Sequence, residues 1–236
     1  MRGILEIGGV MLSHASQRME VAAQNVSNMA TPGYRAQKIF SSLLHLPESL
    51  EGTPLPILQT ATDFSSGKMI QTGNPYDLAL SGQGFLMVRS GDQIFYTRSG
   101  QFSRDADGRL VDGAGAVLQS EDGDMLVRGQ NIKIEKDGTV LDDGEPVSRI
   151  AVVNFKGVSV LDAASSNRFV TAVGVQPERI DAQIQQGMLE SSNVSTAQEM
   201  IAIMASTRSA ETGQRLVQVY DDLMGRALTA FGQVQA

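Results

Sequence analysis

Two ladders of seven-residue spacing stand at opposite ends of the chain. Near the N-terminus Leu5, Leu12, Met19 and Val26 recur at this interval, and Gly8, Ala15, Ala22 and Met29 stand three after each. Near the C-terminus the ladder is Ile203, Ala210, Val217, Met224 and Phe231, and Ser206, Gly213, Tyr220 and Ala227 stand three after each of the first four. Such spacing draws a narrow apolar seam along a helix. Small residues on the second rail allow two helix axes to approach closely. An ordinary amphipathic core helix shares the spacing, but two ladders in one chain favour a terminal helix pair. After Asn193 the chain has no proline. Ser195 is placed to cap the last helix, and Gln198 completes a capping box. That helix would run for about 35 residues, or about 50 Å, long enough to require a partner.

The first helix is expected to stop at Thr31-Pro32-Gly33-Tyr34. Proline moves the residue before it out of the α region, and glycine permits positive φ. The polar run from Gln24 to Asn28 is unusual for a core helix; its amides suit hydrogen bonds to neighbouring backbone, within the chain or across an interface. Residues 36–66 have no sustained period, are interrupted by Pro47, Pro54 and Pro56, and read as an extended arm with short strands. From Gly67 the pattern changes to brief apolar runs punctuated by five Asp-Gly pairs, at 107, 112, 122, 137 and 143. The runs are 85–89, 93–98, 109–111, 117–119, 125–127, 132–135, 139–141 and 150–155. Asp-Gly between such runs marks hairpin turns, so an all-β barrel or sandwich is expected here.

Composition narrows the functional classes. The 236 residues carry a net charge of −7, which argues against nucleic acid as the main partner. There is no cysteine, hence no disulfide framework or thiolate site. No run is long and apolar enough for a transmembrane segment. The N-terminus, with Glu6 inside its apolar run, is a poor cleavable signal, so any route out of the cytoplasm would leave the chain uncleaved. The two imidazoles, His14 and His45, have no second ligand at helical spacing, and no metal or cofactor is expected. Ser103 to Gly108 begins like a calcium loop but puts Ala114 where the bidentate acid belongs, so these are turn residues. The glycine clusters at 82–84 and 113–115 lack the lysine of a phosphate loop. No serine is placed with a base to make a nucleophile. Asn25-Val26-Ser27 and Asn193-Val194-Ser195 fit the glycosylation pattern, but both lie in packing motifs and read as structural. An enzyme is not expected.

Four stretches carry a resemblance. AAQNVSNMATPGYRAQ resembles the N-terminal signature of the bacterial flagellar axial proteins, the rod and hook family, at Asn25, Asn28, Thr31, Gly33, Tyr34 and Arg35, with Ser27 in place of the commoner alanine. QGMLESSNV is similar to that family's second signature at Gly187, Leu189, Glu190, Ser192, Asn193 and Val194. TGNPYDLALSGQGF and YTRSGQFSRDADGRL resemble its central pattern, from Thr72 to Phe85 and from Tyr96 to Leu110, with Leu80 for isoleucine. The resemblance implies a structural subunit of the flagellar basal-body rod, serving motility. It would self-assemble with copies of itself and other rod and hook proteins into a helical tube that transmits torque and surrounds the export channel. It further implies export through the flagellar type III apparatus without a cleaved signal. Thr207 to Glu211 departs from the distal-rod pattern, so the proximal-rod type is the first expectation and the distal-rod type the second.

The fold expected is therefore α+β. The N- and C-terminal helices (1–35 and 187–236) form a coiled-coil-like pair in an inner layer, joined through the arm (36–66) to a central all-β domain of short hairpin strands (67–186). The expected assembly interface comprises Leu5, Leu12, Ala15, Met19, Ala22, Val26, Ile203, Ala210, Val217, Tyr220 and Met224 of the ladders. Asn25, Asn28, Thr31, Gly33, Tyr34, Gly187, Leu189, Glu190, Ser192, Asn193 and Val194 of the two terminal signatures join it. The helices, lacking part of their partner surface in a monomer, are expected to order fully on assembly. The rival from another class is a secreted β-domain binding module or adhesin with coiled-coil ends.

Overall fold

The computed structural model describes residues 2–43, 56–157, 161–165, 167–172 and 174–232. The chain divides into two compact units. One gathers residues 1–27, 37–61 and 195–236; the other gathers 28–36 and 62–194.

The first unit holds two helices, α1 (Arg2–Ser27) and α2 (Thr196–Gly232), of 26 and 37 residues. They pack antiparallel. Gly8 on α1 faces Gly213 and Val217 on α2, whereas Asn25, at the other end of α1, bonds to Glu199 in the first turn of α2. The small-residue rails form the line of closest approach: Gly8, Ala15 and Ala22 are buried on α1, and Ser206 and Gly213 on α2. A Cβ at Gly213 would stand 3.2 Å from Leu12 Cγ and 3.4 Å from the Gly8 carbonyl oxygen. Ser206 turns its buried hydroxyl back to donate to the Ala202 carbonyl, so the seam contains no stranded donor there. Starting at Thr196, α2 has Ser195 at its N-cap, and the Ser195 carbonyl accepts the first helical bond, from Glu199 N–H. α1 ends at Ser27, four residues short of the Thr31 stop expected from the sequence. There Asn28 closes a turn instead: its carbonyl accepts from Thr31 N–H, and its side-chain oxygen from the Thr31 hydroxyl. Strands Gln37–Leu43 and Pro56–Thr62 pair within the arm stretch. Residues 44–55, including His45, lie outside the described residues.

The second unit is β-rich. Its central strand, Phe85–Ser90, lies antiparallel to Gln93–Thr97, with Leu86 opposite Thr97 and Val88 opposite Phe95. It also pairs with Val117–Ser120 and Val152–Asn154. Successive side chains on a strand point to opposite faces, and here both faces are covered. Leu86 and Val88 join one core, with Leu78, Leu110, Leu118, Met125 and Ile184. Phe85 and Met87 face the other, with Tyr96, Val153, Phe155 and Phe169. Burial on both faces is the reason the Phe85–Val88 run is apolar without alternation. The second core is aromatic, with Phe64, Phe85 and Phe169 in mutual ring contact at 5.2 to 5.9 Å.

The Asp-Gly pairs occupy turns. Asp143 (φ 49°) and Gly144 (φ 93°) link strands Thr139–Asp142 and Glu145–Arg149 with the two left-handed residues that a two-residue hairpin demands. Asp105 accepts from the N–H groups of Asp107 and Arg109 and pairs with the Arg109 guanidinium at 2.8 Å, which gives the calcium-like stretch its turn. One expected strand is corrected. Residues 125–127 form no named strand but a crossing with one bridge, Arg109 to Leu126; Met125 N–H donates to the Leu118 carbonyl and Val127 N–H to the Gly108 carbonyl, so its backbone bonds are shared between different segments rather than laddered along one.

Candidate assembly surface

Several signature residues fasten segments within their own unit. Asn25 is buried in the helical unit. Its amide donates to the Gln37 carbonyl at 2.9 Å and to Glu199 at 3.0 Å, and its oxygen accepts from Gln37 N–H at 2.9 Å. In the β-rich unit, Asn193 accepts from Ala36 N–H at 2.7 Å and donates to the carbonyls of Asp63 and Ser65. Ser192 accepts from Val194 N–H. Gly187, at φ 74°, accepts from both Thr72 and Gly73 N–H, and Leu189 follows it in a short strand paired with Ile70.

The densest knot surrounds Glu190, which is wholly buried. One carboxylate oxygen accepts from Gly67 N–H at 2.8 Å and lies 2.7 Å from Arg35 Nη1; the other lies 3.3 Å from Arg98 Nη1. The Glu190 carbonyl accepts from Gly33 N–H at 2.8 Å. Arg98 adds a 2.6 Å bond to the Gly82 carbonyl and lies over the Phe85 ring at 5.4 Å. Burial pushes the Arg98 guanidinium below its ordinary pKa, with Glu190 opposing the shift and Arg35 adding to it. Gly33 is at φ 69° with its α-carbon against Arg98 and Ser99, where a Cβ would meet Ser99 N at 2.2 Å. Tyr34 is buried beside it.

The ladder residues divide differently. Ala15 and Ala22 are buried in the helix pair; Leu12, Met19, Val26, Ile203, Ala210, Val217 and Tyr220 are half-buried; Met224 is exposed. The Leu5 and Phe231 side chains lie outside the described residues. Asn28, Thr31 and Val194 are half-buried. The apolar surface of α2 extends well beyond the ladder. Met200, Ile201, Met204, Val219 and Leu223 are each more than half exposed. Leu216, Val219, Tyr220 and Leu223, with Thr212 and Arg215, line an apolar hollow of about 340 Å³. Apart from Tyr220, these residues lie off the seven-residue seam. The signal was present as apolar residues on the helix away from that seam.

The family model described as the flagellar hook protein FlgE/F/G D1 domain matches residues 79–142. The one described as the flagellar basal body rod FlgEFG protein C-terminal matches residues 185–230. The Escherichia coli flagellar basal-body rod protein FlgF is 31% identical over 236 residues, covering 91% of this chain and 92% of that protein. The Caulobacter vibrioides FlgF is 28% identical, covering 92% and 93%. The Agrobacterium fabrum flagellar basal-body rod protein FlgG is 26% identical, covering 93% and 95%. The chain belongs to the flagellar basal-body rod protein family. Nothing in these likenesses favours the adhesin reading.

Proposed function

We propose that this chain is a structural, non-enzymatic subunit of the bacterial flagellar basal-body rod. It assembles with copies of itself and with other rod and hook proteins into a helical tube that transmits torque and surrounds the export channel. A contact that does not close on itself generates such a tube. The observation that carries the reading is the face of α2: a helix of 37 residues with Met200, Ile201, Met204, Val219 and Leu223 left in solvent. Apolar surface of this extent marks a protein contact.

In this reading α1, within 1–35, and α2, within 187–236, form the inner layer as a coiled-coil-like pair, with 36–66 as the arm and 67–186 as the β-domain. The half-exposed ladder residues, from Leu12 to Val26 and from Ile203 to Tyr220, contact neighbours together with Met224. Asn25, Gly33, Tyr34, Glu190 and Asn193 support that surface from within. The subunit reaches the rod uncleaved through the flagellar type III export apparatus. Identities of 28–31% to three FlgF proteins against 25–28% to five FlgG proteins favour the FlgF type, which we take as the proximal-rod type expected above. Deleting the gene should abolish motility with flagella stalled before the hook, and the tagged protein should co-purify with hook–basal bodies at one position along the rod. Normal flagella in the deletion strain would refute the assignment.

A further inference from the structure

The Glu190 knot joins segments that are neighbours in space but remote in sequence. The chain following α1 passes through 28–36, and the chain preceding α2 passes through 187–194. Two short hydrogen bonds and one ion pair tie them directly: Gly33 N–H to the Glu190 carbonyl, Ala36 N–H to Asn193 Oδ1, and Arg35 against the Glu190 carboxylate. Gly67 and Arg98 then anchor the same carboxylate to the rest of the β-rich unit. As an element of stability the arrangement is poorly made. One buried carboxylate faces two buried guanidiniums, and Nε of both arginines and Nη1 of Arg35 have no hydrogen-bond partner among the described residues. An apolar filling of the same volume would serve stability as well or better. What the cluster supplies is direction: the short bond from Gly67 N–H to the carboxylate and the two guanidiniums held against it resist displacement, whereas apolar contacts slide.

We propose that Glu190 is a mechanical clamp. It passes load from 28–36 straight to 187–194, so the sheet between them in sequence bears little. The cluster breaks as a separate step before the sheet does.

The chain has no cysteine, so Ala30→Cys and Ser195→Cys provide two unique attachment points at exposed positions. The full-length protein, pulled between them by optical tweezers, should extend in a distinct first step followed by the steps of the sheet. Glu190→Gln should lower the force of the first step and leave the later ones in place. Arg98→Lys keeps the charge but loses the guanidinium fork, and should lower the first step less. An unchanged first step in either folded variant would overturn the clamp. So would an equal drop in every step, or loss of the β-sheet signal by circular dichroism in both variants, since the cluster would then belong to the folding core of the sheet.

Discussion

Glu190, Asn193 and Asn25 show how a polar residue can fasten segments within its own unit. Each satisfies backbone groups of a distant segment, Asn25 and Glu190 from buried positions and Asn193 from a half-buried one, and an unpaired buried polar group costs about 1–3 kcal/mol. The polar run Gln24–Asn28 was legible in the sequence as a source of amides for nearby backbone, and Asn25 fulfils that within its own unit. The Glu190 cluster was not legible, because Arg98 stands 92 residues away and no local rule pairs residues at that distance. Gly33→Ala should destabilise the β-rich unit by about 2 kcal/mol or more, since its φ is strained for alanine and its Cβ collides with backbone. Urea unfolding followed by tyrosine fluorescence would measure it. A second effect at this scale is acid sensitivity. Hydrogen bonds from Arg89 and then Gln119 hold the Asp124 carboxyl below its ordinary value. A carboxylate depressed on folding contributes stability above its unfolded pKa of about 3.9 and loses it as pH falls through the lower folded value. Arg89 is well exposed, so solvent screening keeps the effect modest. Asp124→Asn should flatten the decline of the urea midpoint below about pH 4.

At the scale of elements, the helices were legible and the strand partners were not. A seven-residue period is visible in any one stretch, and the rails of Gly8, Ala15 and Ala22 and of Ser206 and Gly213 meet as their size suggests. Strand pairing depends on remote segments. Gln183–Gln186 lies beside Leu78–Ser81, and the alternation of Ile180, Ala182 and Ile184 that leads into it does not say which strand it joins. Likewise Met125–Val127 alternates like a strand, with Met125 and Val127 buried and Leu126 exposed, yet its backbone bonds go to different segments. Gly213→Leu should push the helices apart, because the first added carbon already stands 3.2 Å from Leu12. Overpacking of this kind costs about 1–3 kcal/mol. Thermal melts should show the helical far-ultraviolet signal lost at a lower temperature, with the near-ultraviolet aromatic signal unmoved.

The two units of the whole molecule are unequally supplied with core. Among the described residues, the buried apolar side chains of the helical unit are Ala15, Ala22 and Leu58, whereas the β-rich unit has two large clusters. Small side chains bury little apolar area, and burial is the main stabilising contribution. The native chain should therefore melt in two stages, the helical signal before the aromatic one. This inequality also gives physical content to the ladder reading, since helices with so little core of their own gain most from neighbours. The most direct test is hydrogen exchange of α1 and α2 in the purified monomer and in purified rods. Weak protection of residues 12–26 and 203–224 in the monomer, rising to that of the sheet in the rod, is the predicted result. Protection already equal to that of the sheet in the monomer, or unchanged on assembly, would contradict it.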